Sequence, residues 1–252
     1  MRKLLLLVVA AGMLTLSCAP TSVKEYKVRV VKEYPHDPNA YTQGLFFEGG
    51  RLWESTGQWG KSSFREVELE TGNVLSRKDF DKEYFVEGSV MLGGVLYILT
   101  WTSHVLFKYD AASLEYLGAE KYPRQGWGLT TDGKSLIASD GSSNLYFLDP
   151  ADLHTIRKVK VRLDDRPVNN LNELEWIDGK VWANVYTTDW IMIIDPDSGR
   201  VEGRIDCRGL LPSKLHDART DVLNGIAIHD GHIYLTGKNW RRLYEVELVQ
   251  KD

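Results

Sequence analysis

One carboxylic acid and several polar side chains stand at the same point of a motif that recurs along the chain. Glu87 follows the apolar pair Phe85 and Val86, so its carboxyl group should be partly desolvated and its pKa raised. A carboxyl group that titrates near neutral pH suits a proton shuttle. The equivalent positions of the other motifs hold Gln43, Trp127, Asn172 and Asn224.

A second interpretation of the polar residues needs no chemistry. Gln43, Asn172 and Asn224 could simply form hydrogen bonds with one another or with buried water, as polar groups in a buried channel must. Both interpretations stay open for these three side chains. Glu87 favours the functional one, because an isolated carboxylate costs more to bury than an amide.

The elements that carry these residues repeat along the sequence. Related fragments begin at GGRLWESTGQW, GGVLYILTW, GKSLIASDG, GKVWANVYT and GHIYLTGKNW. Each contributes an apolar residue at the same place, namely Leu52, Leu96, Leu136, Val181 and Ile233. Their spacing of about 40 to 50 residues is typical of a propeller blade of four strands.

Residues 171–196 give the clearest copy of the repeat. Val181, Ala183 and Val185 alternate with polar or aromatic neighbours, which is the period of a strand with two different faces. The Asp178-Gly179 pair before them is a strong hairpin signal. No window after residue 25 has the spacing of an amphipathic helix.

These patterns predict an all-β fold, a five-bladed β-propeller of four-stranded antiparallel blades that forms one domain over residues 26–252. The first strand of each blade lines the central channel, so Gln43, Glu87, Trp127, Asn172 and Asn224 should converge at one mouth. The last repeat supplies only three strands, whereas Tyr26–Tyr34 reads as a strand without a hairpin partner. We therefore expect the N-terminal strand to complete the last blade and close the ring.

The N-terminus predicts export. Residues 1–18 join Arg2 and Lys3 to an apolar run and end in Leu-Ser-Cys, as a bacterial signal peptide of the lipoprotein type does. Residues 19–25 then form a tether. The expected location is the periplasm or cell envelope, with a lipid anchor at Cys18 as the only membrane attachment; ordinary cleavage near Ala19 is the alternative.

The composition and charge of the chain limit the classes of partner and cofactor that it can bind. The formal charge of -4 over 252 residues, without a Lys/Arg cluster, argues against nucleic acid. Cys207 is the only cysteine besides Cys18, so no intramolecular disulfide is expected once Cys18 is acylated. A closed propeller has no free sheet edge, which favours a monomer. We expect no cofactor, and a structural calcium ion is the only metal left open.

Several motifs together resemble one family. YTQGL, FVEGS, LTW, GWGLT, LNELEWIDGKVWANVYTTDWIMIIDP and YLTGKNW are similar, in order from about Tyr41 to Glu245, to the plant and bacterial glutaminyl-peptide cyclotransferases, the five-bladed-propeller glutaminyl cyclases. The resemblance implies conversion of the N-terminal glutamine of peptides or proteins to pyroglutamate, with release of ammonia and without a catalytic metal.

The resemblance also implies site residues. It assigns catalytic roles to Glu87, Asn172 and Lys238. It assigns substrate binding to Gln43, Trp101, Trp127 and Tyr186. Tyr186 stands where tryptophan is expected in many relatives, so the pocket should be slightly smaller and more polar here.

Two other classes of function remain open at this stage. In a calcium-dependent propeller hydrolase of the lactonase type, Glu87, Asn172 and Asn224 would supply oxygen ligands to the metal. In a non-catalytic binding propeller at the cell envelope, the aromatic mouth would hold a ligand that it does not transform.

Overall fold

The computed structural model describes residues 22–251, and within them the chain is almost entirely β-strand. The single short helix is a 3-10 turn at Ser213–Leu215. Most strands pair with their sequence neighbours into four-stranded antiparallel sheets. The predicted signal peptide at residues 1–18, its Cys18, and residues 19–21 of the tether lie outside the described residues.

The chain begins with a long strand and then forms two sheets. Strand β1 spans Lys24–Pro35. The first sheet contains β2 (Thr42–Glu48), β3 (Arg51–Thr56), β4 (Ser63–Val67) and β5 (Val74–Asp79). The second contains β6 (Val86–Leu92), β7 (Val95–Thr100), β8 (Val105–Asp110) and β9 (Tyr116–Lys121). In both, the strands lie side by side in chain order.

A third sheet and a small hairpin follow. The sheet contains β10 (Leu129–Thr131), β11 (Leu136–Ala138), β12 (Asn144–Leu148) and β13 (Thr155–Lys160). The hairpin pairs β14 (Arg162–Leu163) with β15 (Arg166–Pro167).

The rest of the chain forms one larger sheet with β1. Four of its strands are β16 (Leu171–Ile177), β17 (Lys180–Val185), β18 (Trp190–Ile194) and β19 (Val201–Asp206). The last three are β20 (Leu223–His229), β21 (His232–Gly237) and β22 (Arg242–Gln250). Strand β1 lies between β19, to which it is parallel, and β22, to which it is antiparallel.

The predicted repeat positions are strands, as expected. The five apolar residues that define the period lie in the second strand of successive groups, β3, β7, β11, β17 and β21. Asp178 and Gly179 both have positive φ, 49° and 75°, which is the backbone of a tight hairpin turn that matches strand twist. Local sequence therefore determined these hairpins.

The core lies between neighbouring sheets. One apolar cluster joins Phe46, Trp53 and Phe64 of the first sheet to Leu96 and Ile98 of the second. The other clusters likewise draw on adjacent groups of strands. Both faces of the second strands are therefore buried, as in β7 and β17.

The first strands of the groups meet at the centre. They contact one another in the order β2, β6, β10, β16, β20 and back to β2. A methyl group added at Gly88 would lie 2.5 Å from the backbone nitrogen of Leu129. One added at Gly128 would lie 2.0 Å from the backbone carbonyl oxygen of Asn172. Only glycine permits this approach. The fold is thus all-β and propeller-like.

Candidate active site

One pocket of about 170 Å³ opens where the first strands begin. The seven predicted site residues, Gln43, Glu87, Trp101, Trp127, Asn172, Tyr186 and Lys238, all line it. Two further residues complete the wall, Tyr41 and Phe85. The structure therefore brings together residues that the sequence spreads over about 200 positions.

Three of the polar residues occupy the same place in different groups of strands. Gln43, Glu87 and Asn172 are each the second residue of a first strand. In each of these strands the pairing register shifts at this point. A β-bulge re-aims a side chain that regular pairing would hold in the sheet, and here the three side chains turn to the pocket.

Asn224 has the same place in β20 but does not line the pocket. Its side-chain amide donates to the Thr42 carbonyl oxygen over 2.9 Å and lies 3.4 Å from the Gln43 Oε1 atom. For Asn224 the interpretation without chemistry fits better, because its amide forms a hydrogen bond that connects β20 to β2.

Trp127 lies just before β10, whereas the other three predicted residues lie at the ends of second strands. Trp101, Tyr186 and Lys238 each directly follow such a strand, β7, β17 and β21. Because a second strand runs antiparallel to the first, its end lies beside the beginning of the first strand. The pocket is therefore built from one equivalent corner of several sheets.

Sequence reasoning missed Tyr41 and Phe85. They stand two residues before Gln43 and Glu87, and two-residue spacing places side chains on the same side of an extended chain. That spacing was the available signal. The two rings meet edge to face with centroids 6.0 Å apart.

Burial dominates the electrostatics of Glu87. The residue is 4% exposed, and burial raises the pKa of its carboxyl group well above the ordinary value, although the charge of Lys238 opposes this shift. The raised pKa makes the ionised carboxyl group a stronger proton acceptor.

Lys238 is a buried amine in the same pocket. It is 2% exposed, and burial lowers its pKa to about 8, against the opposing influence of Glu87 and Asp221. Its Nζ atom donates to Gln43 Oε1 over 2.6 Å and lies 4.7 Å from the centroid of the Tyr41 ring. The amine is thereby held in one place and still carries donors for another acceptor.

Asn172 leaves an acceptor free. Its Oδ1 atom is buried and has no hydrogen-bond partner among the described residues. An unpaired buried carbonyl is costly, so a bound molecule with an N–H group would find a partner there.

Aromatic side chains wall the pocket. Gln125 accepts a hydrogen bond from both indole N–H groups, over 3.0 Å from Trp101 and 3.3 Å from Trp127. Trp127 also meets Tyr186 edge to face, with centroids 5.5 Å apart. Gln125, which the sequence did not single out, therefore fixes two walls at once.

A buried ionic network holds the segment that leads into β2. Glu54 accepts hydrogen bonds from Arg65 over 2.8 Å and from Thr42 over 2.6 Å. Burial alone would raise the pKa of Glu54, but the Arg65 guanidinium keeps it well below the ordinary value. Because Thr42 lies between Tyr41 and Gln43, this network fixes both pocket residues.

Within residues 22–251 no group of three or more His, Cys, Asp or Glu side chains is arranged to hold a metal ion. The same residues contain no helix that is long and apolar enough to cross a membrane.

Fold and site together define a class of protein. It is a propeller-like enzyme with a small pocket that has aromatic walls and contains a buried carboxyl group and a buried amine.

Comparison with known proteins identifies the family. The family model described as Glutamine cyclotransferase matches residues 3–248. A curated Arabidopsis thaliana protein named Glutaminyl-peptide cyclotransferase is 44% identical over 232 residues, 89% of this chain and 72% of that protein. The crystal structure of Myxococcus xanthus Glutaminyl Cyclase aligns with a TM-score of 0.85 at 34% identity, over 92% of this chain and 100% of that one. The chain belongs to the glutamine cyclotransferase family.

A distant structure bears on the fold alone. The WD40 beta propeller domain of Doa1 aligns with a TM-score of 0.50 at 9% identity, covering 81% of this chain and 62% of that one. This likeness agrees with a propeller-like arrangement of the sheets.

Proposed function

We propose that this protein is a metal-independent glutaminyl-peptide cyclotransferase, which converts the N-terminal glutamine of peptides and proteins to pyroglutamate and releases ammonia. Glu87 is the proton shuttle. The observation that carries the proposal is the juxtaposition of buried Glu87 and Lys238 in a pocket of about 170 Å³. Family membership supports the reaction, and the geometry supports the roles.

The proton must move from one nitrogen to another. The α-amine attacks the γ-carbonyl carbon of its own side chain, and a carbon–nitrogen bond closes the five-membered ring. Ionised Glu87 takes a proton from the attacking nitrogen and returns it to the side-chain nitrogen as the old carbon–nitrogen bond breaks. Ammonia leaves and Glu87 is ionised again. The transfer is needed because an amide ion is too basic to leave unprotonated.

Lys238 and Asn172 act on the substrate directly. The Lys238 ammonium donates to the γ-carbonyl oxygen and stabilises the negative charge that develops there. The free Oδ1 of Asn172 accepts an N–H of the substrate. Gln43 holds Lys238 in position through the 2.6 Å hydrogen bond to its Oε1 atom.

The aromatic walls select the product. Trp101, Trp127 and Tyr186 confine a flexible glutamine side chain near the geometry of attack. They also keep out water, which would otherwise yield glutamate. The hydroxyl of Tyr186, where many relatives are expected to have tryptophan, makes this wall more polar.

A peptide assay tests the reaction. We would incubate protein beginning at residue 22 with a short Gln-initiated peptide in EDTA and follow ammonia release and the loss of about 17 Da. Turnover above the spontaneous background, unchanged by EDTA, is the expected result. Turnover that disappears in EDTA and returns with calcium would indicate the lactonase type of site instead, and binding without turnover would indicate a binding propeller.

The finer architecture is also proposed. The circular order of contacts among the five first strands supports five blades in a single domain from about residue 26. The pairing of β1 with β22, from Tyr26 opposite Gln250 to Pro35 opposite Arg242, supports closure of the ring by the N-terminal strand. With its edges paired, the protein is expected to be a monomer in light-scattering measurements.

Removal of residues 22–35 tests the closure. The deletion should leave β22 as an unpaired edge and strip the hydrogen bond from the Tyr34 hydroxyl to Glu245, which spans 2.8 Å. The urea midpoint should fall, and oligomers should form through the exposed edge. Protein beginning at residue 22 is the reference. An unchanged midpoint would show that β1 does not close the ring.

Export completes the proposal. The N-terminal sequence supports a periplasmic or envelope location in a bacterium, with acylation of Cys18 as the membrane anchor. Incorporation of labelled palmitate that disappears in a Cys18→Ser protein would support the anchor. A mature protein that begins after Ala19 without lipid would instead indicate ordinary cleavage.

A further inference from the structure

A second cavity adjoins the pocket on the far side of Tyr41. Its volume is about 470 Å³. Besides Tyr41, only polar and charged residues line it, Asn39, Gln58, Lys61, Arg219, Asp221 and Asn239. Tyr41 lines both spaces. We call this cavity the outer groove.

The size of the pocket makes a second binding region necessary. Sites that enclose a drug-sized molecule usually measure about 300 to 1,000 Å³, whereas this pocket measures about 170 Å³. It has room for one amino-acid residue. The residues that follow the glutamine of a peptide substrate must therefore lie outside it, and the outer groove begins at its wall.

The lining of the outer groove suits a peptide backbone. Asn39, Gln58 and Asn239 present amide side chains, which can donate and accept hydrogen bonds as peptide groups require. Two contacts join the sides of the groove. Asn239 donates to the Pro38 carbonyl oxygen over 3.1 Å, and Arg219 donates to Asn39 Oδ1 over 2.6 Å. These contacts order the rim before any ligand arrives.

The turn that carries Lys61 is also ordered. Gln58 adopts a φ of 95°, a backbone conformation that residues other than glycine rarely adopt. The Ser62 hydroxyl and the Lys61 backbone N–H both donate to the Gln58 carbonyl oxygen, over 2.9 and 3.1 Å. A strained backbone held in place at the edge of a binding cavity is a frequent sign of function.

The accessible charge in the outer groove is positive. Lys61 is exposed and forms no ion pair with any residue of the described range 22–251. The side chain of Arg219 is 56% exposed and forms an ion pair of 3.7 Å with Asp217, a carboxylate that it shares with Arg241, which lies 2.6 Å away. Asp221, the one carboxylate in the lining, acts on the pocket: burial and the Asp221 charge together raise the pKa of Tyr41, and the same charge opposes the lowering of the Lys238 pKa by burial.

We propose that the outer groove binds the second and third residues of the peptide substrate and favours an acidic side chain there, through Lys61 and Arg219. The inference rests on the proposed cyclotransferase function and adds a substrate preference to it. Because these cations lie outside the pocket, they should affect binding of the peptide and leave the reaction of the glutamine itself unchanged.

The test compares four substrates, namely glutamine amide and the amidated tripeptides Gln-Glu-Ala, Gln-Ala-Ala and Gln-Lys-Ala. For the wild-type protein we expect kcat/KM to be highest for Gln-Glu-Ala and lowest for Gln-Lys-Ala. Lys61→Glu should lower kcat/KM for Gln-Glu-Ala about fivefold and raise it for Gln-Lys-Ala, because exposed charge pairs contribute modestly. Glutamine amide should be turned over equally by both proteins.

Two controls distinguish a charge effect in the outer groove from an effect on the reaction. Lys134→Glu reverses an exposed charge in the turn after β10, at the end of that strand away from the pocket, and should change none of the four values. The preference for Gln-Glu-Ala should also fade in 0.5 M salt, where the screening length is about 4 Å.

Two outcomes would count against the inference in different ways. Equal kcat/KM for the three tripeptides in wild-type protein, or an equal loss for glutamine amide in Lys61→Glu, would overturn the outer groove while the cyclotransferase stands. No turnover of any of the four substrates by wild-type protein would overturn the proposed function, and the groove proposal with it.

Discussion

The Glu87→Gln protein is expected to lose about 10²- to 10⁴-fold in kcat/KM for Gln-initiated peptides, the usual contribution of a general acid–base group. The amide preserves the shape of the side chain but neither accepts nor returns the proton that links the attacking and leaving nitrogens. Because the α-amine can still attack slowly, the residual rate should approach the spontaneous background. KM should change little, since the pocket walls remain intact.

A matched substitution controls for burial. Glu175 is another buried carboxyl group on a first strand, β16, and burial raises its pKa to about 8. Glutamine mimics its neutral form, so Glu175→Gln should keep near-normal turnover. Both proteins should have the circular dichroism spectrum of the wild type. Near-normal turnover by Glu87→Gln would remove Glu87 from the mechanism.

The pH dependence of stability provides an independent test of the raised pKa of Glu87. The carboxyl group has a raised pKa in the folded protein, so the folded state binds this proton more tightly than the unfolded state does. Stability from this group is complete below the ordinary pKa near 4.5 and is lost as pH rises through the folded pKa. Thermal unfolding should therefore show Glu87→Gln gaining stability relative to wild type as pH increases above about 4.5.

Lys238→Met is expected to lower kcat by about 10²- to 10³-fold, the usual effect of removing one donor from a developing oxyanion. Methionine fills most of the space of the lysine chain, so the loss should reflect the missing ammonium group. Gln43 would also lose its 2.6 Å partner, whereas Asn172 and the aromatic walls would remain to hold the substrate.

The pH profile distinguishes this role from simple packing. In wild-type protein, kcat/KM should rise as the substrate amine, with a pKa of about 7.7 to 8.0, loses its proton. It should fall again as pH increases through about 8, where Lys238 loses its charge. The falling limb should be absent from Lys238→Met. A variant that retained this limb would show that another group produces it.

A surface lysine provides the control. Lys134→Met removes an exposed ammonium group in the turn after β10, and it should leave both the rate and the bell-shaped profile unchanged. If Lys134→Met lost as much activity as Lys238→Met, the loss would come from the change in net charge and not from removal of a specific hydrogen-bond donor.

Much of the fold could be predicted from the sequence, because the patterns that define its strands and turns are local. Alternation over a few residues and the Asp178-Gly179 turn define individual hairpins, since both depend on neighbours along the chain. The period of the repeats then predicted groups of similar strands. The repeat also placed Gln43, Glu87, Trp127 and Asn172 at one mouth. Recognition of motifs added Trp101, Tyr186 and Lys238 and the family, which composition and periodicity do not provide.

The site itself depended on the tertiary structure. Asn172 and Asn224 occupy equivalent sequence positions, yet one side chain lines the pocket and the other connects β20 to β2. Periodicity specifies which residues share a strand position, but a bulge and its neighbours decide where each side chain points. No local pattern distinguishes these two asparagines.

The sequence by itself determined the strands, their turns, the repeat and the candidate residue types. Only the tertiary structure decided that Lys238 donates to Gln43, 195 positions away, that Tyr41 separates a small pocket from a polar groove, and that burial shifts the pKa values of Glu87 and Lys238 toward each other. These properties depend on distance and solvent exclusion. Both arise from contacts between distant segments, which the order of residues along a strand does not encode.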